Sequence, residues 1–457
     1  MASSSSSSFL VSPSPRTGNN RRIELAGFDL WTGLHIDNLF VYPSEINIDR
    51  FKEALSRTLS LWPLVAGHIR AEDNEHYFIE MSDNPIPVTL VVNNALNKWP
   101  RDSNVIVELS ENVLSPYVDE IRVIDLADNS QDEPLVRLKL THIVQSGEWV
   151  LGVSWSHILG DAAANLHFLN TLSCYYQQIE PLGPSPIFQR RLWREDEADE
   201  SFLSLMKQMR DAKPMAEIMK ASMGDQQSYD PVNLQFSGEQ LARLRTLAGG
   251  NSVSVQDALS AYIILTLNTY CYYNNDERRI LRTNTAINYR GVCDSIGPKG
   301  LVANGVLMML SDDFDDPYSL SSIAKTIRRS INKSRESKFL GTWIATADGL
   351  MRRNFRNKDL IDMGLFPNEI VVNSNTRYDW AGLVDFGYTN KCRFYTAWTG
   401  ALYLRAFLLN PVKHGNEWLP RDQNGSEIAF RVEKDLKEKF LNACEQDISE
   451  NFENVKK

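Results

Sequence analysis

The sequence predicts a mixed α/β fold divided into two domains, and three observations support this. The 457 residues exceed what a single hydrophobic core usually accommodates. Segments with the two-residue period of strands alternate with segments that repeat at the helical period. Prolines and charged residues then interrupt both periods between residues 181 and 200. We therefore expect one α/β unit on each side of this break.

The first domain is expected at residues 21–180. It follows a Ser-rich segment, residues 1–20, which we interpret as a disordered tail. The residues Gln145-Ser146-Gly147 are typical of a hairpin turn. The predicted elements are strands at 36–42, 77–81, 88–92, 136–145 and 149–155, and helices at 51–61 and 162–178.

A crossover at residues 181–230 is expected to lead into a second domain at 231–457. In that domain Ser254 and Asp257 have the spacing of a capping box at the start of a helix. The predicted elements are strands at 280–288, 302–310 and 369–374, and helices at 258–270, 320–331 and 432–448.

Composition limits the function classes. The net charge of −10 argues against general affinity for nucleic acid or anionic membranes, because both require a basic face. The five cysteines are scattered, which argues against a zinc site or disulfide framework and favours a reducing, cytoplasmic setting. No run approaches the roughly 18–20 apolar residues of a membrane span.

His157 is the main candidate for chemistry. It lies between the apolar run ending at Trp155 and the predicted helix, a strand-to-helix corner of the kind that delivers side chains into clefts. An imidazole is neutral near cytoplasmic pH, as a general base must be. Asp161, four residues later, has two possible roles: it orients the imidazole or ties down the corner through an arginine. The spacing alone favours a histidine held by local hydrogen bonds.

The context of His157 changes this assessment. The segment Ser154-Trp155-Ser156-His157-Ile158-Leu159-Gly160-Asp161 resembles the His-x-x-x-Asp motif of the BAHD acyltransferases, and further landmarks occur in the family's order over residues 25–435. These are Phe28-Asp29-Leu30, Leu39 to Pro43, Leu55 to Leu59, Pro63 to Gly67, Pro184 to Arg191, Asn288-Tyr289-Arg290, Asn304-Gly305, Asn373 to Arg377 and Asp385-Phe386-Gly387-Tyr388.

The resemblance implies a fold like chloramphenicol acetyltransferase, with two domains of similar topology and a substrate channel between them. It implies that His157 is the general base and that Asp161 points away from substrate to bridge Arg290. Asp385 belongs to the implied site in a structural role, holding the loop that closes the channel. The implied reaction moves an acyl group from acyl-CoA to a hydroxyl or amine of a small specialised metabolite.

Three positions depart from the family pattern. Ala162 replaces a glycine after the motif Asp. Asn375 replaces a tryptophan whose N–H can stabilise an oxyanion, so that role falls to the Asn375 amide or to Thr376. Tyr388-Thr389 replaces Trp-Gly. These departures indicate a divergent member, and they keep open a repurposed binder that has lost transfer activity.

For coenzyme A the candidates are Ser254, Arg282 and Arg290. Ser254 opens a helix, whose N-terminus suits a phosphate, but plain N-capping explains it as well. From the sequence alone, Arg282 and Arg290 cannot be distinguished from ordinary arginines that form salt bridges. We expect no tightly bound cofactor and a monomer. A condensation enzyme that uses carrier-bound acyl groups is the other enzymatic alternative, although such domains usually carry two adjacent histidines and here Ser156 precedes His157.

Overall fold

The computed structural model describes residues 4–18, 21–30, 34–72, 76–100, 105–108, 111–121, 133–272, 276–362, 366–397, 399–415, 417–453 and 455. The predicted mixed α/β fold is confirmed. The strands are β1 (Ser5–Val11), β2 (Arg21–Glu24), β3 (His35–Tyr42), β4 (His68–Ala71), β5 (Tyr77–Met81), β6 (Ile86–Asn93), β7 (Val107–Glu108), β8 (Val136–Ile143), β9 (Glu148–Ser156), β10 (Lys213–Pro214), β11 (Tyr229–Phe236), β12 (Arg282–Asn288), β13 (Val306–Leu310), β14 (Asp359–Leu360), β15 (Glu369–Ser374), β16 (Arg393–Ala397), β17 (Tyr403–Leu408), β18 (Lys413–His414), β19 (Glu417–Trp418) and β20 (Ser426–Glu433).

The helices alternate with these strands along the chain. They are α1 (Gly27–Leu30), α2 (Ile48–Leu61), α3 (Glu111–Leu114), α4 (Ala162–Tyr176), α5 (Lys207–Arg210), α6 (Met215–Ser228), α7 (Gly238–Ala248), α8 (Val255–Thr266), α9 (Leu320–Ser334), α10 (Ser337–Asn357), α11 (Trp380–Leu383) and α12 (Lys437–Ser449).

The first large sheet has the strand order β1-β6-β8-β9-β3-β16-β7. Helices α2 and α4 cover one of its faces and enclose a core that includes Phe40, Leu55 and Phe168. The Asn47 side chain caps α2 by accepting from the Arg50 N–H at 2.9 Å. The helix ends at Leu61, before Trp62-Pro63, as predicted.

The expectation of a disordered tail is wrong for Ser5–Val11. These residues form β1, an edge strand that pairs antiparallel with β6 and buries Val11. The β-prone residues Phe9 to Val11 favour the strand, and the serines pair with β6 as well while their side chains lie exposed at the sheet edge, where polar residues are tolerated. Residues 1–3 and 19–20 lie outside the described residues.

The second large sheet has the order β11-β20-β17-β15-β12-β13. Helices α7, α8, α9 and α12 cover one face, around a core that includes Leu244, Tyr262 and Phe430. The predicted late helix is wrong over residues 432–436, because β20 extends to Glu433 by pairing with β11 and α12 begins only at Lys437.

The two halves of the chain are interlocked. β16 comes from the second half, yet it pairs with β3 and β7 in the first sheet. The segment expected as a crossover, 181–230, runs from the end of α4 to the start of β11 and includes α5 and α6. The interlocking brings residues from both halves to the end of β9, where His157 lies.

Candidate active site

His157 lies at the predicted corner between β9 and α4. Its backbone N–H donates to the Leu34 carbonyl at 3.0 Å, which extends the pairing with β3 by one residue. The chain then turns through Gly160, whose φ is +150°; a Cβ at this position would lie 2.7 Å from the Ala303 carbonyl oxygen, so no larger residue fits. The Asp161 carboxylate caps α4 by accepting from the Ala163 and Ala164 N–H groups at 3.1 Å each. The corner is thus fixed on both sides of the imidazole.

A side chain from the second half of the chain sets the tautomer of His157. The Asn304 Nδ2 donates to the His157 carbonyl at 2.9 Å, which fixes the orientation of the amide. The Asn304 Oδ1 then faces His157 Nδ1 at 2.8 Å, and because this oxygen only accepts, Nδ1 carries the proton. Nε2 is left with its lone pair. Burial lowers the pKa of His157 below 6.5, against an opposing effect of Asp161, so the neutral imidazole is favoured.

The ion pair expected between Asp161 and Arg290 is present. Arg290 Nη1 lies 2.8 Å from Asp161 Oδ2, and Nη2 lies 3.0 Å from Oδ1, with both side chains 7% exposed. The Asp161 carboxylate therefore points into this bridge and is not hydrogen-bonded to the imidazole, which Asn304 holds instead. Asp161 acts on the backbone of the corner and only indirectly on His157.

Arg290 is poorly suited to the coenzyme-binding role predicted for it. Its remaining N–H groups donate to the carbonyls of Leu301 (2.7 Å) and Ala303 (2.6 Å) and to Asn288 Oδ1 (3.4 Å). A guanidinium has five donors, and all five are occupied in a buried position. The contacts of Arg290 are those of a brace that joins the start of α4 to the segments around Asn288 and Ala303.

A buried ion pair between Asp29 and Arg190 contacts Asn304. Asp29 Oδ2 accepts from Arg190 Nε at 3.0 Å, and the two side chains are 1% and 2% exposed. Asp29 Oδ1 accepts from the Asn304 backbone N–H at 3.3 Å. Arg190 also donates to the Leu159 carbonyl in the turn after His157, at 3.4 Å. Sequence reasoning treated Asp29 and Asn304 only as family landmarks, and did not assign them or Arg190 a role.

The two candidate oxyanion residues follow β15. Asn375 is buried, and its Nδ2 is 3.5 Å from Asn373 Oδ1, a long and weak contact that leaves donor capacity. Thr376 Oγ1 lies 2.9 Å from Ser374 Oγ. The turn is joined to the corner through Tyr378, whose hydroxyl accepts from Asn288 Nδ2 at 2.5 Å. Hydrogen bonds thus connect this turn to the Arg290 brace.

Asp385 lies away from His157, in the loop for which a structural role was predicted. Its Oδ1 accepts from Gln177 Nε2 at 3.1 Å, at the far end of α4. Asp161 and Gln177 cap the two ends of α4, which places them about 24 Å apart. The Thr389 hydroxyl hydrogen-bonds to Asp385, and the Tyr388 hydroxyl donates to the Glu45 carbonyl. Both departures from the family motif therefore hold this loop in place.

The other two residues predicted to bind coenzyme A, Ser254 and Arg282, make contacts in different parts of the fold. Ser254 caps α8: its Oγ accepts from the Asp257 N–H at 3.2 Å, while Asp257 Oδ2 accepts from the Ser254 N–H at 2.7 Å. Arg282 forms an ion pair with Asp313 at 2.9 Å. It lies at the opposite end of β12 from Asn288, about 20 Å away at strand spacing. The structure does not bring Arg282 to the His157 corner.

Within the described residues, no cluster of three or more His, Cys, Asp or Glu side chains is arranged to hold a metal ion. The same part of the chain has no helix that is both long and apolar enough to cross a membrane.

Comparisons with known proteins agree with this fold. A family model described as the Transferase family matches residues 4–389. Vinorine synthase is similar in structure, with a TM-score of 0.62, 16% identity, and 96% of each chain covered. TRI101 of F. graminearum, solved in complex with Coenzyme A and T-2 mycotoxin, has a TM-score of 0.62 at 15% identity over 93% of this chain and 97% of that one. The X-domain from teicoplanin biosynthesis is more distant, with a TM-score of 0.55 at 11% identity over 93% and 95% of the chains. No curated protein matches the chain.

Proposed function

Because the chain belongs to the Transferase family of BAHD type, we propose that it moves an acyl group from an acyl-CoA to a hydroxyl or amine of a small molecule, with His157 as general base. The observation that carries this proposal is the 2.8 Å contact between His157 Nδ1 and Asn304 Oδ1. It leaves the lone pair of Nε2 to accept a proton.

In the proposed reaction, Nε2 removes the proton from the acceptor hydroxyl or amine as that atom attacks the thioester carbonyl carbon. The C–S bond of the tetrahedral intermediate then breaks, and the leaving sulfur takes the proton back from the imidazolium. The Asn375 amide and the Thr376 hydroxyl are the groups proposed to donate to the oxyanion. A thioester is already activated, so no covalent enzyme intermediate and no bound cofactor is needed.

The phosphates of coenzyme A are proposed to bind near the N-terminus of α8. Arg328 forms a 2.6 Å ion pair with Asp257 in the first turn of that helix, beside Ser254. Burial, together with the positive charges of Arg377 and Arg328, lowers the pKa of Arg335. Arginines that repel one another are suited to a polyanion, and Arg328 joins this group to the N-terminus of α8. The phosphate groups would relieve this repulsion, which supports Ser254 as a binding residue and adds Arg335 and Arg377.

The test is release of free thiol from a set of acyl-CoAs mixed with pooled alcohols and amines. His157→Ala is expected to lower kcat by about 10²–10⁴-fold. His414→Ala, on the exposed β18–β19 hairpin, is the matched control and should keep wild-type turnover. A His157→Ala protein that remains folded and fully active would exclude the proposal. Thiol release only from carrier-bound acyl groups would favour the condensation alternative, and ligand binding without thiol release would favour the repurposed binder.

The proposed setting is the cytoplasm, and the proposed active form is a monomer. Sedimentation of the purified chain with and without an acyl-CoA tests the second point.

A further inference from the structure

Every polar group of Asn304 makes a contact. Its backbone N–H donates to Asp29 Oδ1 at 3.3 Å, and its carbonyl accepts from the Tyr289 hydroxyl at 3.2 Å. The side-chain Nδ2 faces two acceptors, the His157 carbonyl at 2.9 Å and Asp29 Oδ1 at 3.5 Å. The side-chain Oδ1 is then the atom that faces His157 Nδ1. Because Asn304 is buried, these contacts decide which way its amide points.

The negative charge of Asp29 favours one orientation of this amide. Turning the Asn304 amide over would place its oxygen beside the Asp29 carboxylate and the His157 carbonyl, so that three acceptors would meet without a donor. The NH2 group would then point at His157 Nδ1 and would force the imidazole proton onto Nε2. Burial lowers the pKa of His157, and the charge of Asp29 is among the effects that oppose this. Asp29 therefore disfavours the tautomer that cannot act as a base.

Arg190 contacts both Asp29 and the turn that follows His157. Its Nε donates to Asp29 Oδ2 at 3.0 Å, and its Nη2 donates to the Leu159 carbonyl at 3.4 Å. Its Nη1 donates to the Phe188 carbonyl at 2.7 Å, which ties the guanidinium to its own segment between α4 and β11. One guanidinium thus holds the residue that orients Asn304 and the turn next to the base.

A small cavity lies against this ion pair. Its lining includes Asp29, Arg190 and Asn304, together with Arg191 and Trp193. The Arg191 side chain is 36% exposed, so the cavity reaches the surface of the protein. A small ion that enters the cavity would therefore arrive beside the Arg190 guanidinium.

We propose that Asp29 and Arg190 are positioning residues for the general base: Asp29 sets the orientation of the Asn304 amide, and Arg190 sets the position of Asp29. Within the described part of the chain, neither side chain hydrogen-bonds to the imidazole, so both act through Asn304 and the turn at Leu159. This inference rests on the proposed acyl transfer, in which His157 Nε2 takes the proton of the acceptor. It also specifies the tautomer of the ring, a property that can be measured without any substrate.

The first variant is Asp29→Asn, which keeps the volume of the side chain and removes its charge. The oxygen of the new amide should turn towards Arg190, so that its NH2 group faces the N–H groups of Asn304 and no longer accepts from them. We expect kcat in the thiol-release assay to fall by about 10–100-fold, because hydrogen bonds to a charged group are lost. KM for the acyl-CoA should not change.

Glu148→Gln is the matched control. The Glu148 carboxylate also accepts from a backbone N–H, that of Trp99 at 2.8 Å, and also pairs with an arginine, Arg393 at 2.6 Å. It lies at the other end of β9, about 30 Å from His157 at strand spacing. This variant loses the same charge from the same kind of contact and should keep the wild-type kcat.

The tautomer of His157 gives an answer that does not depend on turnover. In protein labelled with a nitrogen isotope at its seven histidines, NMR shifts distinguish a protonated ring nitrogen from one with a lone pair, and the spectrum of His157→Ala assigns the signal. We expect the proton on Nδ1 in the wild type and a mixture of the two tautomers in Asp29→Asn. Absence of thiol release in the wild type would refute acyl transfer, whereas the tautomers would still decide the role of Asp29.

Arg190→Ala tests the second residue of the pair. It should lower kcat as Asp29→Asn does, and it joins the space of the lost side chain to the cavity. Free guanidinium, at millimolar concentrations far below those that unfold proteins, should then restore part of kcat. Urea has a similar shape without the charge and should restore none. Arg190→Lys keeps the charge beside Asp29 and should retain more of kcat than Arg190→Ala does.

An Asp29→Asn protein with the wild-type tautomer of His157 would overturn the inference, and so would one with the wild-type kcat. An equal loss of kcat in Glu148→Gln would show a general effect of breaking an ion pair and would also overturn it. Equal responses of Arg190→Ala to guanidinium and to urea would remove Arg190 from the proposed role.

Discussion

Replacing Asn304 with Leu tests how the structure prepares His157 for proton transfer. The substitution keeps the approximate volume and removes two hydrogen bonds, one to Nδ1 at 2.8 Å and one to the His157 carbonyl at 2.9 Å. Without its acceptor, an Nδ1–H group stays buried and unsatisfied, which costs about 1–3 kcal/mol. Moving the proton to Nε2 avoids this cost, but it produces the tautomer that cannot act as a base.

The expected magnitude follows from this cost. A change of about 1–3 kcal/mol in the balance between tautomers corresponds to about 5–150-fold. We therefore expect kcat to fall by about that factor, with an unchanged KM for the acyl-CoA. Asn304→Asp should behave differently, because a carboxylate still accepts from Nδ1 and its charge raises the pKa of His157. The wild-type pKa lies below 6.5, so wild-type turnover should stay on its plateau at pH 6.5 and above and fall only at lower pH, where His157 becomes protonated. In the aspartate variant this acidic limb should move to higher pH.

The assay is steady-state thiol release at saturating substrates between pH 5 and 9, with thermal melts of each protein. Asn268→Leu is the matched control: Asn268 is 1% exposed and also makes two hydrogen bonds of 2.9 Å to a single residue, the backbone of Ile280. It should lose stability as Asn304→Leu does and keep its kcat. If kcat of Asn304→Leu stays within twofold of wild type, or the acidic limb of Asn304→Asp does not move, the tautomer reasoning is refuted.

Three further perturbations follow from the contacts described. Arg290→Lys keeps the charge but cannot reach both Asp161 oxygens and two carbonyls, so the free energy of unfolding in urea should fall by about 2–4 kcal/mol; an unchanged midpoint would contradict the brace. Arg377→Ala should raise KM for acyl-CoA several-fold with little effect on kcat or on KM for the acceptor, and equal effects on both substrates would argue against a phosphate site there. Glu427 is buried and accepts from the Ile106 and Val107 N–H groups, so Glu427→Ala should lower the unfolding free energy by about 2–6 kcal/mol, measured by denaturant titration. Burial raises the pKa of Glu427 above 4.5, so the wild type should lose stability as pH rises from 4.5 through the folded-state pKa, and the Ala variant should lack this dependence.

Local patterns were sufficient for most of the elements around His157. The β9 strand, the corner and the start of α4 each carry their own signal within a few residues, namely an apolar run, a glycine and a capping carboxylate. Helix α10 was not predicted, although it spans Ser337–Asn357. Its sequence includes two glycines and the buried Asp348, which accepts from the Gly27 N–H at 2.5 Å, and these residues obscure the helical period.

Contacts between distant parts of the chain were harder to predict. Asn304 is 147 positions from His157 in the sequence. No periodicity in the sequence indicates that the Asn304 amide will orient the His157 imidazole. The pairing of Asn373 with Arg405 is of the same kind, since these two residues become neighbours only through strand register. The pairing of Asp161 with Arg290 was anticipated through the family resemblance, whereas the saturation of all the Arg290 donors required the fold. The domain boundaries, and Ser254 as a coenzyme ligand, stay predictions.

The placement of β16 affects how the chain folds. During synthesis of the chain, β3 is an exposed edge strand until residues 393–397 have been made. Up to that point, the backbone donors and acceptors of Asn38 to Val41 that pair with β16 have no partner strand. Such an edge recruits strands from other chains, and the aromatic and aliphatic residues along it increase that tendency. The first half of the protein is therefore most exposed to misassembly during the synthesis of the second half. A fragment ending near residue 230 would keep that edge open permanently, so the two halves should be expressed as one chain or mixed during refolding.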